Sequence, residues 1–141
     1  MVSWLIEDTF KKQARGDDLQ VHESTENYLE TILVLSKRQP QVRSIDIVNE
    51  LAFSKPSVSV AMKNLRNQEY ITMDDNGHIK LTVTGKKLAE SVYERHTLIT
   101  EFLIKIGVDA KVAAEDACRV EHVLSSETFA ALKKHISKDY S

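Results

Sequence analysis

The 141-residue sequence predicts a mainly α fold in two parts: a helical head carrying one small β-hairpin, then an all-helical second half. Three observations predict it. Apolar residues recur at helical spacing through most of the chain. Two short helical stretches meet at Phe53-Ser54-Lys55-Pro56. One segment, around Asn76-Gly77, alternates apolar and polar residues as a hairpin does. With 42% hydrophobic and 28% charged residues the chain is globular, and its modest core would be completed by a second subunit.

Taken in order, residues 1–22 form an N-terminal extension in which Trp4, Leu5, Ile6 and Phe10 fit a short amphipathic helix, broken at Arg15-Gly16-Asp17-Asp18. Glu7 and Asp8 interrupt the apolar run, so no signal peptide is expected, and no stretch approaches the roughly 20 apolar residues of a membrane span. Residues 23–85 form the head. Ser24 is expected to cap a helix bearing Tyr28, Leu29, Ile32, Leu33 and Leu35, stopped by Pro40. Ser44 is expected to cap a short helix with Ile45, Val48, Leu51 and Ala52 inward, and after the turn a second helix runs from Ser57 to Gln68 with Val58, Ala61, Met62 and Leu65 inward. Tyr70–Met73 and His78–Thr82 then pair around Asp74-Asp75-Asn76-Gly77. Helix-turn-helix plus hairpin is the winged-helix arrangement.

Residues 86–141 form the second part. A long connecting helix over about 85–106 is ended by Gly107. Asp109 caps the next helix, and Ser125 or Ser126 the last. Val112, Ala113, Ala117, Val120, Val123 and Leu124 are small or branched, which suits close packing and a two-fold dimer interface.

The net charge of −2 rules out a globally basic nucleic-acid binder but not a local basic face. Between Lys37 and Tyr70 six basic residues (Lys37, Arg38, Arg43, Lys55, Lys63, Arg66) face three acidic ones (Asp46, Glu50, Glu69). The second helix of the pair presents Ser57, Ser59, Lys63 and Arg66 beside Ser54, Lys55 and Pro56, and small hydroxyls at a helix N-terminus let the backbone approach DNA while cations meet phosphates. These residues with Arg43, and Asn76, Gly77 and His78 of the wing, are the expected DNA contacts. The other reading of such a head is a surface for protein contacts.

Cys118, Glu121 and His122 stand at i, i+3 and i+4, which on a helix puts thiol, carboxylate and imidazole on one face. Mixed sulfur, nitrogen and oxygen donors suit Fe(II), Mn(II), Co(II) or Zn(II) better than Ca(II) or Mg(II). The bland reading makes Cys118 a small buried apolar residue and the other two helix surface. A single cysteine permits no internal disulfide and fits a reducing cytoplasm. Asn27 and Glu30, one turn apart on the first long helix, and His96 on the connecting helix carry little weight by themselves. No His-Glu-x-x-His or comparable catalytic pattern occurs, so no enzymatic activity and no small-molecule substrate are expected.

The order Thr25-Glu26-Asn27-Tyr28-Leu29-Glu30-Thr31-Ile32, Ser54-Lys55-Pro56-Ser57-Val58-Ser59, Leu81-Thr82-Val83-Thr84-Gly85-Lys86, Arg95-His96 and Asp116-Ala117-Cys118-Arg119-Val120-Glu121-His122-Val123-Leu124-Ser125 resembles the diphtheria toxin repressor and manganese transport repressor family, over roughly residues 23–136. The resemblance implies a winged-helix DNA-binding domain joined to a helical metal-binding and dimerisation domain. It also implies the short two-domain form, without the SH3-like domain of longer members. The implied function is a metal-activated transcriptional repressor of metal-homeostasis genes, a cytoplasmic homodimer on a palindromic double-stranded operator. The alternative is a metal-independent winged-helix transcription factor.

Carried over position by position, the family's metal site falls on Glu30, His96, Cys118, Glu121 and His122, with Asn27 as a further donor. The set is a hybrid. Manganese-type members carry aspartate where Asn27 stands and glutamate where Cys118 stands; iron-type members share the cysteine but have methionine at the first position. The iron-type ancillary site needs ligands where this chain has Thr100 and Ala114. The expected cofactor is Fe(II) or Mn(II), with Zn(II) or Co(II) binding in vitro.

Overall fold

The structure, a computed structural model, describes residues 17–140, with side chains described for 24–136; the amphipathic stretch expected over residues 2–14 lies outside them. The elements run α1 (Asp17–Arg38), α2 (Ser44–Leu51), α3 (Lys55–Asn67), β1 (Ile71–Met73), β2 (Ile79–Leu81), α4 (Val83–Lys105), α5 (Ala110–Val120) and α6 (Ser126–Tyr140). The described chain divides into two compact units, one spanning Gln20–Ser91 and the other holding Val92–Ser141, with α4 running from the first into the second.

The first unit is built on a continuous apolar cluster. Leu29 and Ile32 of α1, Ile47 of α2, Val58, Met62 and Leu65 of α3, and Ile71 and Ile79 of the hairpin are buried together. β1 and β2 pair antiparallel with Thr72 opposite Lys80, so Ile71 and Ile79 face inward, and a bridge from Val42 to Ile79 joins the segment before α2 to the hairpin. Asp74 closes the turn: its Oδ1 accepts from the backbone N–H groups of Asn76 and His78 at 2.9 Å each, and Gly77 takes the positive φ of 80° that the turn requires. The backbone N–H of His78 is the main reason the Asp74 carboxyl lies below the usual carboxylate value. The hairpin stabilisation it brings is therefore complete above 3.8 and is lost as pH falls through the lowered value.

Several expected boundaries shift. Ser24 is not a cap but lies inside α1, which starts at Asp17. Ser44 is the first helical residue rather than the cap. Arg43 is the N-cap, and its backbone N–H donates to Asp46 Oδ2 at 2.8 Å, so a carboxylate reaching back replaces the hydroxyl. The inward face of α2 centres on Ile47 with Val48 and Leu51, whereas Ile45 is 44% exposed and Ala52 takes the left-handed conformation that ends the helix. The reading helix begins at Lys55, two residues before the expected start, because Ser54 caps it and Pro56 is preorganised for a first turn.

Where the hairpin meets α4, Thr82 Oγ1 donates to Glu69 O at 2.7 Å and accepts from Gly85 N–H at 3.1 Å. Gly85 packs so closely that a Cβ there would stand 1.9 Å from Tyr70 O. In the second unit Val92, Ile99, Ala113, Ala117 and Ile136 are buried, Asp109 caps α5 and Ser125 caps α6 through Thr128 N–H at 3.1 Å. No helix among the described residues is long and apolar enough to cross a membrane.

Gly85→Ala forces a methyl into a backbone carbonyl. It is expected to cost about 3 kcal/mol or more, measured as a shift in urea midpoint at unchanged m value.

Candidate metal centre and nucleic-acid interface

α5 ends at Val120, one residue short of the expected ligand run. Glu121 becomes its C-cap, with helical backbone angles and its N–H on Ala117 O at 3.0 Å, and His122 falls in the following turn. Cys118 and Glu121 thus keep the one-turn spacing read from the sequence, while His122 leaves the helix. α4 brings His96 to this point. Donor atoms of His96, Cys118 and Glu121 all lie within 4.8 Å of one another, and among the described residues they are the group that could hold a metal ion.

Glu121 sits at the middle. Its side chain is fully buried, with Oε2 at 3.0 Å from His96 Nδ1 and Oε1 at 3.3 Å from His122 Nε2, whose side chain is 2% exposed. A carboxylate withdrawn from water is costly unless compensated; the imidazole of His96 hydrogen-bonds Oε2, and that of His122 stands beside Oε1. The surface reading of Glu121 therefore does not hold. Arg95 fixes the turn: its Nη1 donates to Glu121 O at 3.2 Å and Leu124 O at 3.0 Å, and its guanidinium lies 5.3 Å from the Phe129 ring centroid. Lys133 of α6 pairs with Glu94 of α4.

The donors fit a transition metal. Nitrogen, sulfur and oxygen ligands sit about 2.0–2.3 Å from such an ion, so the group needs only small side-chain rotations to close on one. Thr100 donates its hydroxyl to His96 O at 2.7 Å, and is thus engaged in the helix at a position where an ancillary iron-type site would need a ligand. Asn27 and Glu30 lie one turn apart on α1, in the other unit; Glu30 is buried and Asn27 half-buried. The sequence gives Arg95 only a place beside His96 in the family motif and no role; no spacing rule identifies a guanidinium that acts through backbone carbonyls.

In the first unit Ser54, Lys55, Pro56, Ser57, Ser59, Lys63 and Arg66 are all exposed. Ser54 serves chiefly as the cap, accepting from Ser57 N–H at 3.3 Å and donating to Ser57 Oγ at 2.8 Å. Arg43, Asn76 and Gly77 accompany His78 at the hairpin, where Arg43 Nη2 lies 3.2 Å from His78 Nε2 and His78 Nδ1 lies 3.2 Å from Asp74 Oδ2. Since a carboxylate only accepts and a guanidinium only donates, the neutral imidazole with its proton on Nδ1 satisfies both. That link was not visible in the sequence, where Arg43 and His78 are 35 residues apart.

Comparison with known proteins places both halves of the chain in one family. Residues 20–79 match the model described as iron dependent repressor, N-terminal DNA binding domain, and residues 82–138 match iron dependent repressor, metal binding and dimerisation domain. The transcriptional regulator MntR of Escherichia coli O157:H7 is 33% identical over 116 residues, covering 82% of this chain and 75% of that protein. A helix-turn-helix regulator of Methanocaldococcus jannaschii is 30% identical over 118 residues, covering 82% of this chain and 94% of its own. Among solved structures, the manganese regulator SloR aligns with a TM-score of 0.72 and 31% identity over 80% of this chain, which spans about half of SloR, 53%. The chain belongs to the diphtheria toxin repressor and manganese repressor family, metal-dependent DNA-binding transcriptional regulators rather than enzymes.

Two outcomes test the centre. Cys118→Ser should abolish the sulfur-to-metal charge-transfer absorption of the Co(II)-loaded protein. Arg95→Leu should weaken Co(II) binding by about 10-fold to 100-fold in calorimetric titration with helicity retained, as loss of a partner outside the ligand shell does.

Proposed function

We propose that this protein is a metal-activated repressor acting in the cytoplasm, a homodimer that binds a palindromic operator of metal-homeostasis genes when its centre holds Fe(II) or Mn(II). The observation that carries the reading is the convergence of His96, Cys118 and Glu121 in the same chain as a cationic, serine-rich reading helix. The family match adds to it. Manganese named for SloR supports the Mn(II) arm, while the thiol of Cys118 draws the preference toward softer metals.

The proposed ligand set is His96, Cys118, Glu121 and His122, with Glu30 and Asn27 of α1 as further donors. When bound, the cation supplies positive charge that offsets the thiolate and carboxylates of its shell. Arg95 holds the turn that aims Glu121. In a two-fold dimer the two α3 helices enter successive major grooves about 34 Å apart, with the N-terminal serines at the bases and Lys55, Lys63, Arg66 and Arg43 at phosphates. Couplings of this kind run about 1–3 kcal/mol per site, a several-fold to hundred-fold change in DNA affinity, and by reciprocity DNA tightens metal equally.

Anaerobic titration with Fe(II), Mn(II), Zn(II) and Co(II), read by fluorescence anisotropy of an operator duplex, tests the reading. Fe(II) or Mn(II) is expected to raise affinity by about 5-fold to 150-fold, chelator to reverse it, and Glu121→Gln to remove the response. Equal affinity in chelator and in metal would overturn it and leave a metal-independent regulator. Lys63→Gln should lower the salt slope of binding by about one for each phosphate it no longer neutralises, without changing sequence preference.

A further inference from the structure

α3 carries one exposed aliphatic side chain that neither the core nor the phosphate contacts use. Val60 is 60% exposed. The buried side of the helix is set by Val58, Met62 and Leu65, and at about 100° per residue Val60 is turned about 200° from Val58 and from Met62, so it stands at the middle of the outward face. Around it, Pro56 at i−4, Ser57 at i−3, Lys63 at i+3 and Asn64 at i+4 are all exposed. The helix sequence Lys-Pro-Ser-Val-Ser-Val-Ala-Met-Lys-Asn-Leu-Arg-Asn holds three cations and no acid. A branched aliphatic group is thus presented at the centre of a strip of hydroxyls, amides and positive charge, with the ring of Pro56 at its N-terminal end.

We propose that Val60 is a specificity-determining residue that packs against the 5-methyl group of a thymine in the major groove. This rests on the DNA-binding reading above. The thymine methyl is the apolar feature of the major-groove edge, and an aliphatic side chain with no donor or acceptor discriminates there by covering it. Lys63 and the serines cannot provide that contact, since hydroxyls and ammonium groups read acceptors or phosphates. Each half-site therefore contains a thymine whose methyl, rather than its Watson–Crick edge, is recognised.

The probes are duplexes enriched by the metal-loaded dimer from a randomised library, then remade with single thymine-to-uracil replacements, which remove one methyl and leave base pairing intact. With the wild-type protein, uracil at one position of each half-site should weaken binding by about four-fold, and by about fifteen-fold when both are replaced. With Val60→Ala the all-thymine duplex should bind more weakly and that same position should become indifferent to uracil, while Val60→Thr, which keeps one methyl, falls between. 5-Methylcytosine scanning at cytosines serves as the control for methyl contacts elsewhere. Binding that no uracil weakens, or a uracil penalty that Val60→Ala leaves unchanged, would overturn the inference while leaving DNA binding intact. Failure to enrich any duplex would overturn the DNA-binding reading and this inference with it.

Discussion

The second unit is organised around one buried carboxylate. Glu121 is removed from water, and its two oxygens are met by His96 from α4 and His122 from the turn, while its carbonyl is held by Arg95. Each contact joins a different stretch of chain, so the position of α5 against α4 is tied to the satisfaction of a single charged group. Removing a partner from such a group leaves a buried charge uncompensated, which commonly costs about 3–5 kcal/mol. The same constraint that orders the unit also gathers the donors: with the carboxylate held, the imidazole of His96 and the sulfur of Cys118 are already within 4.8 Å of it and of each other.

The head follows a different logic. Its fold is fixed by an apolar cluster with Leu29, Ile32 and Ile47 fully buried, and its exposed polar groups are spent on capping and turn closure before any ligand arrives. Ser54 caps α3, Asp74 closes the hairpin, and Arg43 is engaged with His78. What remains outward on α3 is a short strip of cations, hydroxyls and one valine. The helix is placed rigidly by its inner face, so the outer face is free to be chosen for what it meets.

Much of this was legible in the sequence. Period and turn chemistry identified α3, the hairpin, the long α4 and the capped α5, and the resemblance identified the family. Less legible were features decided by partners distant in the chain. Nothing local says that Arg43 rather than Ser44 caps α2, because the outcome depends on Asp46 reaching back. Ile45 and Ile47 are equivalent in hydrophobicity, and only the docking of α2 chooses Ile47 for the core. At the centre, Cys118 and Glu121 could be paired by spacing, but the end of α5 at Val120, which carries His122 into a turn, reflects the pull of Arg95 on the carbonyls of Glu121 and Leu124 from 26 and 29 residues away.

The close approach of Gly85 to the carbonyl of Tyr70 has a mechanical meaning. With no room for even a methyl group and with Thr82 stitching both sides, the joint between hairpin and helix has no slack, so the wing behaves as a handle welded to the start of α4 and not as a flap hung from it. Whatever tilts the first turns of that helix turns the wing through the same angle.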